Sequence, residues 1–357
     1  MHVVVDGRHI GGGRGVARYS ERVLAAMAAL DEDVRWTVVC PGGPVPGGVR
    51  AVHSRLPRRA FHGAGALLGR PTLDGLAGAA DVAWLPAPAP VALSPGLPYV
   101  LNVHDRSFEA RPGDFTGYER VWHRFARPRA LAGGAAAVMT LTRSGADELV
   151  AAGWPVPPQR LIVGGAGAQF GPTDELAQGT PPAGVPERYL LTVGALEPRK
   201  GSDVLAGAYA QARMQGLDAT LVVAGRGRLR HLFDGAPGVV LLDDVDDAAL
   251  EALYRNALAV AHPALLEGFG LPPVEAAAYA VPSIVADLPV YEETLGAAAL
   301  RVPASDGPAL AAAMLQLADD ETLRRGLGEQ ARDAVAAHSW DHTAQVVLEA
   351  LRTAAGR

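Results

Sequence analysis

The 357-residue chain contains one cysteine, Cys40, and one lysine, Lys200, the latter against 31 arginines. A single thiol excludes an intramolecular disulfide and a thiolate metal cluster, and Cys40, following the apolar run Trp36 to Val39, is expected to be a buried strand-end residue. No stretch approaches the ~18 uninterrupted apolar residues of a membrane-spanning helix. The opening MHVVVDGRHI moves directly into a strand pattern, without the basic segment and apolar core of a leader. A soluble cytoplasmic protein is the default expectation. No Cys/His metal spacing, GxSxG elbow, Walker lysine motif or nucleic-acid module occurs, so neither a resident metal nor a nucleic-acid partner is expected. What the chain has in quantity is apolar character: 49% of its residues are hydrophobic and 20% charged. That composition supports sizeable cores, and the length suits two domains of ~150 to 200 residues. The net charge of −6 is unevenly shared, with 18 arginines against 15 acids in residues 1–185 and 14 basic against 23 acidic residues beyond. The small excess in the first half generates little field.

Apolar strand-like runs alternate with helical stretches, the pattern of parallel sheets covered by helices. In the first half strands are expected at residues 3–5, 36–39, 82–85, 99–103, 137–142 and 161–163, with helices at 16–29, 117–132 and 144–152. Residues 171–187, rich in proline and glycine, read as a linker between a first domain (1–170) and a second (188–338). In the second domain strands are expected at 189–193, 220–224, 239–242, 257–261 and 283–286. Helices at 203–215, 247–256, 273–279, 308–319 and 322–337 fill the gaps, and a last helix at 341–354 could pack back on the first domain. Each half reads as an α/β, open doubly wound sheet, in which ligands bind at the carboxyl ends of the strands. Two such domains create a cleft suited to a large two-part substrate.

Several segments at those strand ends carry candidate chemistry. The glycines of GRHIGGGRGVARY, including Gly13 and Gly15, precede a helix whose unpaired N–H groups suit phosphate; a flexible strand-to-helix turn is the plain alternative. The segment does not fit GxGxxG, because Val16 and Arg18 stand where a third glycine would be required. In VGALEPRKG, Gly194 ends a strand and Arg199 and Lys200 open a helix, where cations oppose the macrodipole. A bound diphosphate would explain what helix propensity does not. In EGFGLPPVE, Pro272 and Pro273 start a helix, placing Glu267 in the preceding loop and Glu275 in the first turn. Acceptor-only carboxylates so separated could grip hydroxyl pairs, one on a sugar and one on a ribose. His104 and Asp105 close another strand. The acids of DDVDD at 243–247 read as a loop with an N-cap rather than a metal site. The basic stretches 55–70 and 118–131 read as a loop and a surface helix, either of which could touch a lipid headgroup or an anionic acceptor.

With these residues assembled, the chain resembles the retaining glycosyltransferase family 4, in the branch of bacterial mannosyl- and rhamnosyltransferases. The likeness runs from GVARY through VHDRSFEARP and VGALEPRKG to the block 242–293 and the AAALRVPASDGPALAAAM tail. It implies the GT-B arrangement, two facing Rossmann-like domains with an interdomain cleft, and metal-independent sugar transfer from a nucleotide donor with retention. No cofactor is implied, the nucleotide-sugar being a substrate. Arg199 and Lys200 would bind the diphosphate, Glu267 with Gly268, Phe269, Gly270 and Leu271 the sugar, and Glu275 the ribose, with Gly13, Gly15, Gly194 and Val245 lining the donor. His104 would lie beside the transferred sugar, and Arg18 and Asp105 on the acceptor side. The acceptor would be a glycan, a lipid-linked or a small molecule, with peripheral contact at the inner face of the membrane allowed for. Two rivals remain: a non-hydrolysing nucleotide-sugar 2-epimerase and an inactive nucleotide-sugar-binding subunit. Departures from the family pattern are Ala195, where many relatives carry arginine, GGAGAQF at 164–170 and AAAYAVPS at 276–283.

Overall fold

The structure, a computed structural model, describes residues 1–12, 15–168 and 180–356. The chain divides into two compact units, one of Met1–Gly167 with Trp340–Arg357 and one of Ala168–Ser339. Gly13 and residues 169–179, which include residues 171–179 of the expected linker, lie outside the described residues.

The first unit is a seven-stranded parallel sheet of β1 (His2–Asp6), β2 (Arg35–Val39), β3 (Val49–Val52), β4 (Val82–Leu85), β5 (Tyr99–Asn102), β6 (Ala137–Thr140) and β7 (Leu161–Val163). Its strand order is β3-β2-β1-β4-β5-β6-β7. The second is a six-stranded parallel sheet of β8 (Tyr189–Val193), β9 (Thr220–Ala224), β10 (Val239–Leu242), β11 (Ala259–His262), β12 (Ser283–Ala286) and β13 (Ala299–Val302), in the order β10-β9-β8-β11-β12-β13. Both chains of crossovers start at a central strand and reverse direction there, which is the doubly wound pattern. The reversal falls between β1 and β4 in the first unit and between β8 and β11 in the second.

Helices on both faces explain why the central strands are nearly continuous apolar runs. In the second sheet Leu190, Leu221, Val223, Ala259 and Ala261 face a core completed by Leu205, Tyr209, Leu310 and Met314. The intervening Tyr189, Leu191, Val222, Ala224 and Val260 face the opposite core with Leu250, Leu253 and Tyr254. Burying one such Leu or Val side chain contributes ~1.5–3 kcal/mol, so the two faces together hold the strand ends rigidly in place.

Three expectations are corrected. The first is the stretch 55–70, expected as a loop, which holds a helix at Arg58–Leu68. A second is the single helix expected over 117–132, which is two, Gly117–Ala126 and Pro128–Gly134. Arg127 between them has φ 47°, as Pro128 disfavours the helical conformation in the residue before it. Lastly, strands β3 and β13 and the helix Pro289–Leu295 add to the expected elements. Cys40 is buried directly after β2, as the sequence suggests. Among the described residues no helix is long and apolar enough to cross a membrane.

Candidate functional site

In the second unit the reversal of strand order leaves a crevice position above β8 and β11, and the chain fills it from both sides. After β8 the backbone turns at Gly194 and enters a single 3-10 turn, Pro198–Lys200. Arg199 and Lys200 therefore sit one turn ahead of the helix Ser202–Met214, not at its opening as expected. Gly201 separates them from it with φ +65°, and a Cβ there would lie 2.1 Å from the Pro263 carbonyl oxygen. Only glycine lets the cation-bearing turn lie this close to the exit of β11. The Leu265 N–H donates to the Arg199 carbonyl at 2.9 Å, which ties the two loops together.

That approach brings Lys200 onto Glu267. Lys200 Nζ donates to Glu267 Oε2. The same oxygen receives His262 Nε2–H at 3.1 Å, from the last residue of β11. An ionised carboxylate only accepts, so the hydrogen bond fixes the proton on Nε2 of His262. Burial would raise Glu267, but the Lys200 charge and the His262 hydrogen bond outweigh it and hold the carboxyl well below its ordinary range. Burial depresses His262 more than Glu267 raises it, so the imidazole is neutral at pH 7. The second carboxylate oxygen, Oε1, makes no hydrogen bond among the described residues.

Downstream, Gly268 and Phe269 are buried, and the Phe269 ring meets His338 edge-on at 5.3 Å. Gly270 has φ +81°, and a Cβ on it would come within 2.5 Å of Tyr291 Cε1. The turn so formed caps the helix Leu271–Ala278. Glu275 is in the second turn of that helix rather than the first. It is buried, and its Oε2 accepts from Tyr254 Oη at 2.8 Å. Val245 packs on the adjoining core. Around it Arg226 pairs with Asp243 and Asp244, Arg230 pairs with Asp243, and Asp246 caps the helix Asp247–Asn256. The acidic run is thus a neutralised loop and cap, with Asp246 as the cap. No metal-binding group of three or more His, Cys, Asp or Glu occurs among the described residues.

In the first unit His104 follows β5, and its Nε2–H donates to the Pro86 carbonyl just beyond β4 at 2.7 Å. Its ring meets Tyr19 edge-on at 4.8 Å. Tyr19 Oη accepts from Asn102 Nδ2 at 3.0 Å, and Asn102 Oδ1 accepts from Trp84 Nε1 at 2.8 Å. This buried chain fixes the imidazole, and burial lowers its pKa despite the Pro86 hydrogen bond, so His104 is neutral at pH 7. Asp105 accepts from the Ser107 N–H at 2.8 Å and from its hydroxyl, nucleating the short helix Ser107–Ala110. Arg18 is half-buried on the helix Gly15–Leu30, which Gly15 begins.

The structure therefore joins Arg199, Lys200 and Glu267 into one cluster, while Glu275 engages Tyr254. Reading the sequence did not single out His262, Tyr254 or Tyr291 in the second unit, nor Tyr19 and Asn102 in the first. The available signals were a histidine closing the apolar run ALAVAH and an asparagine inside YVLNV.

Residues 179–334 match the model of the family "Glycosyl transferases group 1". The chain is 32% identical over 192 residues to the phosphatidyl-myo-inositol mannosyltransferase of Mycobacterium leprae (strain TN), covering 51% of each chain. It is 30% identical to the lipopolysaccharide core biosynthesis mannosyltransferase LpcC of Rhizobium leguminosarum bv. viciae, over 46% of this chain and 50% of that one. The matches span about half the length of these curated relatives. The sucrose-phosphate synthase structure from Thermosynechococcus elongatus superposes with a TM-score of 0.74 at 17% identity, covering 99% of this chain and 98% of that one. The second unit thus carries the match to the glycosyl transferases group 1 model over residues 179–334, and the chain shares the two-unit GT-B fold of its structural neighbour.

Proposed function

We propose that the protein is a retaining, metal-independent hexosyltransferase that uses a nucleotide-diphosphate sugar, with GDP-mannose as the first choice of donor. The observation that carries this reading is the convergence of Lys200, Arg199 and Glu267 at the strand-order reversal of the second unit. Lys200 has three N–H donors and gives one to Glu267, leaving two for phosphate oxygens. With Arg199 it stabilises the diphosphate as the bond from the anomeric carbon to the phosphate oxygen breaks and its electron pair passes to that oxygen. Stabilising a leaving anion in this way is commonly worth ~3–4 kcal/mol per donor. Glu267 Oε1 accepts a sugar hydroxyl, and Glu275 the ribose. The acceptor hydroxyl attacks on the face the diphosphate leaves, and its proton passes to a phosphate oxygen. No enzymic nucleophile is required.

The first unit supplies the acceptor side, with His104, Arg18 and Asp105. The acceptor is a glycan, a lipid-linked or a small molecule. The mannosyltransferase names of the relatives support mannose. On the helix Gly117–Ala126, Tyr118, Val121 and Phe125 are exposed beside Arg120 and Arg124, which supports a lipid-linked acceptor met at an anionic membrane surface. A thermal-shift screen with GDP-, UDP- and dTDP-sugars, followed by transfer assays with and without EDTA, tests the reading. Conversion of the donor sugar without acceptor would identify a 2-epimerase instead, and binding without turnover an inactive subunit.

A further inference from the structure

We propose that His262 is the positioning residue of the donor-sugar subsite: it pins Oε2 of Glu267 so that Oε1 is presented to a hydroxyl of the bound sugar. The inference rests on the donor reading above and adds to it the group that orients its carboxylate.

Both donors that reach Glu267 arrive on one oxygen, and the other stays open. Of the two, Lys200 is a flexible chain in a loop turn, and its remaining charge is directed at the diphosphate. His262 is of another kind. It is 4% exposed, closes β11 within the sheet, and pairs in register through β11 with β12. Its ring is fixed by the edge-on contact with Tyr291, with centroids 6.4 Å apart and planes at 86°. Tyr291 is fully buried and also presses on Gly270, the pivot of the turn that follows Glu267. One aromatic wedge therefore sets both the imidazole and the sugar-side loop. When Lys200 shares its charge with phosphate, the His262 hydrogen bond continues to hold the carboxylate.

The test separates sugar from nucleotide. GDP and GDP-mannose, and UDP and UDP-glucose as a second pair, are titrated against wild type, His262→Leu and His262→Gln. Leucine fills the space without a donor, and glutamine restores an N–H near the Nε2 position. For the pair that wild type binds, His262→Leu should weaken the sugar nucleotide at least ~10-fold, as expected for losing one hydrogen bond to a charged group. The free diphosphate should change by less than about twofold, and His262→Gln should recover most of the loss. Equal weakening of both ligands, or no rescue by glutamine, overturns the proposal. If wild type binds neither pair, the donor reading fails on its own account. In that case, or if His262→Leu does not fold, the decisive measurement is ¹⁵N-imidazole NMR of the wild-type chain at pH 7. An Nε2–H tautomer at His262 supports the anchor, whereas an Nδ1–H tautomer with bare Nε2 overturns it.

Discussion

Lys200 and Glu267, 67 positions apart in sequence, form an ion pair that spans the strand-order reversal of the second sheet. The chain's single lysine thereby meets the first acid of EGFGLPPVE. Their side chains are 18% and 13% exposed, so the pair is largely withdrawn from solvent screening. In such a setting removing one partner strands the other, which is costly even when the pair itself is nearly neutral to stability.

Lys200→Met should therefore lower stability by about 3 kcal/mol, at the low end for a buried pair because His262 still satisfies Glu267. It should also weaken diphosphate binding and turnover. Urea denaturation and calorimetry with GDP check the two effects. Unchanged values in both would remove the pair from the site.

Two depressed groups at the site contribute to the pH dependence, and His104, His123 and Asp31, also depressed, act in the same direction. Glu267 is held below its ordinary range, so its stabilising contribution is present above the unfolded-state value of ~4.3 and is lost as pH falls through the lower folded value. His262 is also depressed, so below about pH 6.5 the unfolded chain takes up a proton that the folded chain refuses. Both act in one direction. Stability should decline below about pH 6.5 and decline again below ~4.3, and Glu267→Gln should shrink only the lower limb, to which Asp31 also contributes. Urea midpoints of both proteins from pH 7 down to about pH 2 report this.

Tyr254→Phe removes the hydroxyl that donates to Glu275. A hydrogen bond to a charged group contributes ~1.5–3 kcal/mol, so the variant should fall in stability by that order. If Glu275 receives the ribose, the donor KM should rise about tenfold with kcat nearly intact, reflecting uniform binding. Glu275→Ala should show the same split more strongly. A fall in kcat with KM unchanged would remove the ribose assignment.

Gly201→Ala tests the geometry that delivers the lysine. The added methyl meets the Pro263 carbonyl at 2.1 Å and the backbone stands at φ +65°, so the turn must move away from β11. Loss of stability by ~1–3 kcal/mol is expected, with weakened diphosphate binding although no charged residue is altered. Wild-type binding in this variant would show that the Lys200 turn is not held against β11.

His104→Ala acts in the first unit. The neutral imidazole is locked by Pro86 and Tyr19, so if the donor binds in the second unit as proposed, loss of His104 should reduce turnover while GDP affinity stays within about twofold. Reduced GDP affinity would contradict that division of labour.

The central strands were legible because a parallel strand buried on both faces must be an apolar run, and VVV, VAWL, YLLTV and TLVVA are such runs. The missed strands show the converse. β3 and β13 are sheet edges with exposed positions, so their burial no longer writes a continuous pattern. Helix 58–68 was not expected because its basic start and the glycines at 63, 65 and 69 carry the local signs of a loop. Local chemistry marked the break at Arg127, since proline follows it.

Of the site, sequence alone determined which residue types stand at which strand ends: a lysine after β8, a glutamate after β11, and a glycine at each tight turn between. Hydrophobic patterning fixes strands, and strand ends fix where loops begin. Tertiary structure decided which of those groups meet. Lys200 and His262 share one oxygen of Glu267 only because β8 and β11, far apart in sequence, are neighbours in the sheet. Strand order is set by the packing of the whole unit, and no local stretch of residues encodes it.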